Sequence, residues 1–297
     1  MKSAMIFMKG GFGNQLFQFC FANYLKLNNY KVTINTDMFK DITDDTIRNL
    51  TLPVEYFGFK EASLFSKLLF KYNHKLSSSK KVKGSIFENL FDAYKFSKED
   101  NFSLNNKNKK LYLNGYWKDM IFINKNKDFL ISSLSKNLAL KKRLINPTLN
   151  NYAMIHVRRG DFIKDDRHLN ITYYKNSMDY VKQYNPDIKF DIFTDDYKWV
   201  KRQAIFKEVD NIFAQENAKD NAKNSKVDGQ DDSKETIETF SKMLSYKNFI
   251  AGNSSFAFWA AFIRSDDNSY VTVPKPWFRN NSHPTLKKDN WFIVENK

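Results

Sequence analysis

The sequence predicts an α/β protein built from two Rossmann-like halves, and three observations support this. Short apolar runs typical of buried strands alternate with segments in which apolar residues recur at helical spacing. A glycine-rich turn separates the first predicted strand from the first predicted helix. The polar motifs follow predicted strands, and ligands bind at the carboxyl ends of the strands in such sheets. We therefore expect ligand sites at these strand ends.

Composition is consistent with two folded domains. The 297 residues are 42% hydrophobic and 16% aromatic, which allows sizeable cores and argues against general disorder. The net charge of +15 favours anionic partners such as nucleotide sugars, phospholipid headgroups or nucleic acid. Because lysine and asparagine are abundant throughout the chain, this charge carries little weight by itself.

The single cysteine, Cys20, excludes an intrachain disulfide and is predicted to lie in the core of an apolar helix. A reducing cytosol fits this cysteine usage. The longest apolar run, residues 256–263, is far shorter than the ~20 residues of a membrane span, and no signal peptide is recognisable. We expect a cytoplasmic protein, either free or touching a membrane surface.

Predicted elements divide the chain near Pro147, in a polar segment. The first half opens with a strand at 3–8, an apolar helix at 14–27 and a strand at 31–35. Residues 122–140 read as one polar helix. The second half alternates strands at 152–157, 190–194, 211–214, 249–251 and 270–273 with helices at 173–184, 197–204, 233–246 and 254–264. This alternation predicts a parallel sheet covered on both faces, with a mobile polar loop at 216–232.

The first strand ends in a loop in which residues 10, 11 and 13 are glycine. Glycine lets the backbone turn tightly and approach a ligand closely. A dinucleotide fingerprint would need a further glycine where Leu16 stands, so NAD binding is disfavoured. Asn14 follows at the predicted helix start. It is either a simple N-cap or a ligand contact, and its spacing alone favours the cap.

Two adjacent arginines, Arg158 and Arg159, leave the first strand of the second half. A guanidinium stays charged and matches phosphate oxygens with two N–H donors, which makes phosphate the expected ligand. Asp161 is close enough in sequence to orient one guanidinium, and Gly160 permits a turn. The alternative interpretation is a surface strand end with an ordinary Arg–Asp pair. The apolar character of residues 152–157 argues against a surface edge.

Three further segments have two interpretations each. Thr194, Asp195 and Asp196 end the next strand, where the acids either bind a metal, ribose or sugar hydroxyl or cap the following helix. No second acidic motif completes a Mg²⁺ site. Residues 252–256 either donate hydroxyls to phosphate at a helix N-terminus or serve only for capping by Ser254. Glu238, like Glu235, either accepts from a guanine edge or is simply favourable near a helix start.

Six segments, in order, resemble motifs of glycosyltransferase family 11. They are GGFGNQLFQFCFANYL, NGYWKDMIFI, HVRRGDF, FTDDYKWV, GNSSFAFWAAFI and VPKPWF. The resemblance extends over nearly the whole chain. One such motif would be weak support, but six in family order make a specific signal.

The resemblance implies a GT-B fold, with two Rossmann-like domains facing a central cleft. Residues 1–146 would bind the acceptor and residues 147–297 the donor, GDP-β-L-fucose. The implied reaction is inverting transfer of L-fucose to the 2-hydroxyl of a terminal galactoside, on an oligosaccharide or a lipid-linked glycan. Neither a cofactor nor a divalent metal is expected. The setting would be bacterial lipopolysaccharide or O-antigen synthesis at the cytoplasmic face of the inner membrane.

Two alternatives remain at this stage. An α-1,6- or α-1,3-fucosyltransferase of surface polysaccharide synthesis would share the donor site. A non-enzymatic basic protein that binds nucleic acid or a membrane surface should cluster its basic residues on one face, whereas lysine is dispersed here. We therefore expect no nucleic-acid partner.

The resemblance also assigns candidate site residues. The candidate catalytic residues are Arg158, Asn14, His156 and Asp161. The candidate donor-binding residues are Arg158, Arg159, Gly13, Gln15, Thr194, Asp195, Asp196, Glu238, Asn253, Ser254, Ser255 and Phe256. The sequence does not single out a general base, for which His156, Asp37 and the loop at 194–196 are candidates.

Overall fold

The chain divides into two compact units, Met1–Leu134 and Ser135–Lys297. The computed structural model describes residues 2–40, 49–68, 94–98, 110–145, 149–214, 232–278 and 285–296. Every strand pairing among these residues is parallel, which confirms an α/β protein with parallel sheets. The predicted loop at 216–232 lies outside the described residues except for Asp232, which begins a helix.

The first unit contains a five-stranded sheet of order β3-β2-β1-β5-β4. Its strands are β1 Lys2–Phe7, β2 Tyr30–Asn35, β3 Lys60–Glu61, β4 Tyr94–Lys98 and β5 Lys110–Asn114. The unit also contains the helices α1 Phe12–Leu27, α2 Met120–Ile123 and α3 Lys127–Leu134. Strand β1 is central, and α1 buries Leu16, Phe17 and Cys20 completely. The prediction that Cys20 is a core residue is confirmed.

Residues 122–140, predicted as one helix, instead contribute to three helices, because asparagine side chains cap and interrupt the backbone ladder. Asn126 Nδ2 donates to the carbonyl of Phe122 at 2.6 Å and so closes the end of α2. Asn137 Oδ1 accepts from the amide of Ala139 at 3.1 Å at the start of the third helix, α4 Leu138–Ile145. Asparagine competes well with helical hydrogen bonding in this way.

The second unit contains a six-stranded sheet of order β11-β10-β9-β6-β7-β8. Its strands are β6 Leu149–Val157, β7 Lys189–Thr194, β8 Asn211–Ala214, β9 Tyr246–Ile250, β10 Val271–Lys275 and β11 Phe292–Glu295. Its helices are α4, α5 Gly160–Lys164, α6 Ile171–Tyr184, α7 Tyr197–Arg202, α8 Asp232–Met243 and α9 Ser255–Arg264. Within the described residues, no helix is long and apolar enough to cross a membrane.

Helix α4 belongs to the second unit because it packs on α8, where Ser241 Oγ donates to the carbonyl of Ala139 at 3.1 Å. The boundary predicted near Pro147 follows this helix. Helix α8 ends at Met243, three residues before its predicted end, because Tyr246 begins β9. The Tyr246 hydroxyl is buried and donates to Asp191 of β7 at 2.6 Å. This tertiary contact selects the strand over one more helical turn.

Candidate functional site

Strand ends of the second unit surround one pocket. Strands β9, β6, β7 and β8 are neighbours, and His156 pairs with Phe193 in register. The carboxyl ends of these parallel strands therefore lie at one edge of the sheet. The pocket has a volume of about 270 Å³, counting its open mouth. The predicted site residues that line it are His156, Arg158, Thr194, Asp195 and Phe256.

Arg158 is held by two carboxylates on the wall of this pocket. Its Nη2 lies 2.6 Å from Asp161 Oδ1, and its Nη1 lies 3.0 Å from Asp195 Oδ2. The Asp195 side chain is only 5% exposed, whereas that of Arg158 is 25% exposed. A guanidinium has five N–H donors, so these contacts orient the group and leave donors for an incoming anion. Asp161 takes the orienting position predicted for it.

The neighbouring Arg159 has different surroundings. Its guanidinium carbon lies 4.0 Å from the centre of the Trp199 ring, and its Nε lies 3.2 Å from Asp196 Oδ2. Its backbone amide donates to Asp195 Oδ1 at 2.8 Å. Arg159 is therefore packed against α7 and is absent from the pocket lining. Consecutive residues at a strand end point in different directions, which separates the two arginines.

The acids after β7 support this loop. Asp196 Oδ1 accepts from the amide of Trp199 at 3.0 Å and is the N-cap of α7, which confirms the capping interpretation. Thr194 Oγ1 in turn accepts from the amide of Asp196 at 2.9 Å. Asp195 is the acid that reaches the pocket. Among the described residues, no group of three or more His, Cys, Asp or Glu side chains is placed to hold a metal ion.

His156 is a buried neutral imidazole beside Arg158. Burial, and secondarily the positive charge of Arg158, lowers the pKa of His156 from 6.5 to about 3. Its Nδ1 is buried and has no hydrogen-bond partner. So weak a base suits hydrogen bonding to a ligand better than removal of a proton at neutral pH. Gly252 makes this packing possible, because a Cβ there would lie 2.6 Å from the His156 carbonyl oxygen.

The segment after β9 has mainly structural contacts. Ser254 Oγ accepts from the amide of Phe256 at 3.2 Å, which confirms its capping interpretation, and Ser255 begins α9. Asn253 is 2% exposed, and its Nδ2 donates to the carbonyl of Arg167 at 2.5 Å. Of the predicted residues in this segment, Phe256 is the one that lines the pocket.

Helix α8 turns a different side to the pocket from the one we predicted. Glu238 is exposed and does not line the pocket, whereas Thr239 does. A shift of one residue rotates a side chain by about 100° around a helix. The lining residues that sequence reasoning missed are Phe193, Phe213, Thr239 and Met243. Two signals were present: Phe193 and Phe213 are the penultimate residues of their strands, and Thr239 and Met243 share an i, i+4 spacing.

In the first unit, two glutamines hold the loop at residues 8–13, hereafter the glycine loop. Gln15 Nε2 donates to the carbonyls of Gly10 and Asn49, and its Oε1 accepts from the amide of Thr51 at 3.0 Å. Gln18 bonds both the amide and the carbonyl of Lys9, at 3.0 and 2.8 Å. Gln15 is fully buried, so its amide holds backbone in place.

The N-cap interpretation of Asn14 is wrong. Helix α1 begins at Phe12 with Gly11 as its N-cap, so Asn14 lies inside the first turn, one residue after the buried Gly13. The sequence signal failed because glycine also serves as an N-cap. Asn14 Oδ1 is buried and has no hydrogen-bond partner. A ligand contact by Asn14 stays a prediction.

Gly10 explains why the chain turns where it does. Its φ is +79°, and a Cβ there would lie 2.8 Å from Asn14 Nδ2 and 3.1 Å from Tyr116 Cε1. Close packing therefore requires glycine at this position.

Asp37, a candidate base from the sequence, lies 2.8 Å from the ammonium of Lys67, which also contacts Glu61 at 2.6 Å. Asp37 is thus engaged in an ion cluster.

A family model and two sequence relatives agree with these motifs. A family model described as Glycosyl transferase family 11 matches residues 3–295. The O-antigen biosynthesis glycosyltransferase WbnK of Escherichia coli is 24% identical over 313 residues, which cover 96% of this chain and 98% of the relative. An alpha-1,2-colitosyltransferase of Escherichia coli is 24% identical over 310 residues, 97% of each chain. A crystal structure of NodZ alpha-1,6-fucosyltransferase soaked with GDP-fucose aligns with a TM-score of 0.43 and 11% identity, covering 88% of this chain and 92% of that one.

Proposed function

Because the chain belongs to glycosyl transferase family 11, we propose that it transfers L-fucose from GDP-β-L-fucose to the 2-hydroxyl of a terminal galactoside. The reaction would invert the anomeric carbon and need no divalent metal. The observation that carries this proposal is Arg158, held between Asp161 and Asp195 on the pocket wall. A fixed cation at a strand end is suited to the diphosphate of a nucleotide sugar.

In this mechanism, the acceptor hydroxyl attacks the anomeric carbon, the bond from that carbon to the β-phosphate oxygen breaks, and the hydroxyl proton passes to solvent or to a phosphate oxygen of the departing GDP. Negative charge grows on the departing GDP, and the Arg158 guanidinium stabilises it as it develops. Because two carboxylates already orient Arg158, little reorganisation is needed at the moment of reaction. An oxocarbenium-like transition state needs little basic assistance. This agrees with a His156 that is too weakly basic to remove protons efficiently.

The remaining pocket residues suit the guanosine part of the donor. Phe193, Phe213 and Phe256 offer aromatic surface to a planar base. Thr239 carries a hydroxyl that suits a ribose or base group, and the buried Nδ1 of His156 beside the pocket has no protein hydrogen-bond partner. We assign the donor to residues 147–297 on these grounds.

The acceptor is assigned to residues 1–146, in a GT-B arrangement of the two halves. Asn14, with its unpartnered Oδ1, would then contact the transferring sugar or the acceptor. One relative, the O-antigen biosynthesis glycosyltransferase WbnK, supports a surface glycan as acceptor, and we propose a galactose-terminated oligosaccharide or lipid-linked glycan. We propose a cytoplasmic protein, free or in peripheral contact with the inner membrane.

One observation favours a second candidate donor sugar. The alpha-1,2-colitosyltransferase is as similar to this chain as the O-antigen glycosyltransferase, at 24% identity. Colitose is therefore the alternative to fucose as the transferred sugar, with the same guanosine diphosphate leaving group proposed for both.

The decisive experiment incubates the protein with GDP-fucose or GDP-colitose and a panel of oligosaccharides, and determines the product linkage by NMR. We expect an α-1,2-fucoside on galactose. An α-1,6 or α-1,3 product would contradict the proposed linkage but not the proposed donor site. Transfer of colitose alone would contradict fucose as the donor sugar.

A second experiment measures the melting temperature with GDP. GDP should raise it equally with and without EDTA, and a shift abolished by EDTA would contradict metal independence.

A further inference from the structure

A second arginine, Arg167, reaches the same carboxylate as Arg158. Arg167 Nη2 lies 3.9 Å from Asp161 Oδ2 and also contacts Asp165, while Arg158 Nη2 lies 2.6 Å from Asp161 Oδ1. Asp161 thus has one guanidinium near each of its oxygens. The guanidinium carbons lie 5.6 Å (Arg158) and 4.4 Å (Arg167) from the centre of the Phe162 ring. The two cations therefore occupy one neighbourhood.

The backbone of Arg167 is fixed between two strand-end loops. Its amide donates to the carbonyl of Phe162 at 2.8 Å, and its carbonyl accepts from Asn253 Nδ2 at 2.5 Å. Asn253 is almost completely buried, so this anchor is firm. Asn253, in the segment after β9, thus holds the backbone of Arg167 in place. The Arg167 side chain itself remains 28% exposed and accessible to a ligand.

Carboxylates already pair with both guanidiniums: Asp161 with each of them, Asp195 with Arg158 and Asp165 with Arg167. Each guanidinium has five N–H donors, so donors remain for a phosphate, whose oxygens a guanidinium binds with paired N–H groups. We propose that Arg167 supplies a second guanidinium to the phosphate site, which makes the site select a nucleoside diphosphate over a monophosphate. This inference rests on the proposed function, because it places the diphosphate at Arg158.

The test measures binding of GDP and of GMP by isothermal titration calorimetry to the full chain and to Arg167→Met. Methionine keeps an unbranched apolar stem against Phe162 but removes the charge. Loss of a charge-assisted contact should weaken GDP binding about ten- to a hundredfold, with GMP binding nearly unchanged. The matched control is Arg202→Met, since Arg202 is exposed in the last turn of α7. It should leave both affinities unchanged.

If Arg167→Met fails to fold, Arg167→Lys gives the same answer, because it keeps the charge but lacks the two-pronged donor. It should show a smaller loss for GDP and none for GMP. Equal weakening of both nucleotides, or an unchanged preference for GDP, would overturn the role of Arg167. Wild-type protein that binds neither nucleotide would instead contradict the proposed function.

Discussion

The glycine loop of the first unit and the arginine loop of the second, residues 158–161, occupy equivalent places after a central strand but are held in opposite ways. Neutral amides of Gln15 and Gln18 bond the backbone around the glycine loop. In the arginine loop, carboxylates bond a charged side chain, Arg158, and keep it oriented at a pocket. Hydrogen bonds from side-chain amides to the backbone fix the path of the chain, whereas the paired carboxylates fix the Arg158 guanidinium where it can bind an anion.

The largest expected effect concerns Arg158 and Arg159, whose different surroundings predict different roles in turnover. Arg158→Lys keeps the charge but loses the paired donors, and should lower turnover about a hundredfold, or about 3 kcal/mol. Arg159→Lys is the matched control and should lower turnover much less, since Arg159 packs on Trp199. Initial rates at saturating GDP-fucose, with melting temperatures, measure both. Equal losses in the two variants would contradict the distinction.

A second comparison concerns two glycines, Gly252 after β9 and Gly11 in the glycine loop. Gly252→Ser places a Cβ 2.6 Å from the His156 carbonyl oxygen, so the backbone must move. We expect a loss of about 1–3 kcal/mol in the free energy of unfolding, with reduced GDP binding. Gly11→Ser is the control, because a Cβ there meets nothing within 4 Å and serine is a good N-cap. Urea denaturation measures the free energy of unfolding of both variants. A silent Gly252→Ser would show that this close approach is not required.

Neighbouring amides of the first unit should separate stability from activity. Asn14→Ser removes an Oδ1 that bonds no protein group, so stability should be unchanged while turnover falls about tenfold, equivalent to about 1.4 kcal/mol. Gln15→Met should instead reduce stability by about 1–3 kcal/mol, because backbone groups of Gly10, Asn49 and Thr51 lose a buried partner. Rates and melting temperatures are measured together. Normal turnover in Asn14→Ser would remove Asn14 from the site.

The smallest expected effect is a pH dependence that comes from His156. Its pKa is about 3 when folded and near 6.5 when unfolded, so below pH 6.5 the unfolded chain binds more protons. Its stabilising contribution is complete above pH 6.5 and is lost as pH falls toward 3. Between pH 7 and pH 6 the loss should be less than about 1.4 kcal/mol. His156→Gln should flatten this slope in urea titrations. An unchanged slope would assign the pH dependence elsewhere.

The sequence predicted the α/β fold class with parallel sheets and the pairing of Arg158 with Asp161. Apolar alternation is a local property of the chain, and it correctly predicted parallel α/β sheets and the buried position of Cys20. The chemistry of Arg158 and Asp161 was also readable, because three residues of separation already bring them together. Capping by Asp196 and Ser254 was among the predicted alternatives, since N-capping is local too.

Tertiary structure decided which of the candidate residues line the pocket, and it added Phe193, Phe213, Thr239 and Met243. The contacts of Arg158 with Asp195 and of Gln15 with Asn49 join residues far apart in sequence. Strand order and register bring these groups together, and no local pattern encodes their distances. For a similar reason, the sequence did not show that Thr239 lines the pocket and that Glu238 does not. Neighbouring residues differ by about 100° around the helix axis, and the packing of α8 against its neighbours determines which of them faces the pocket.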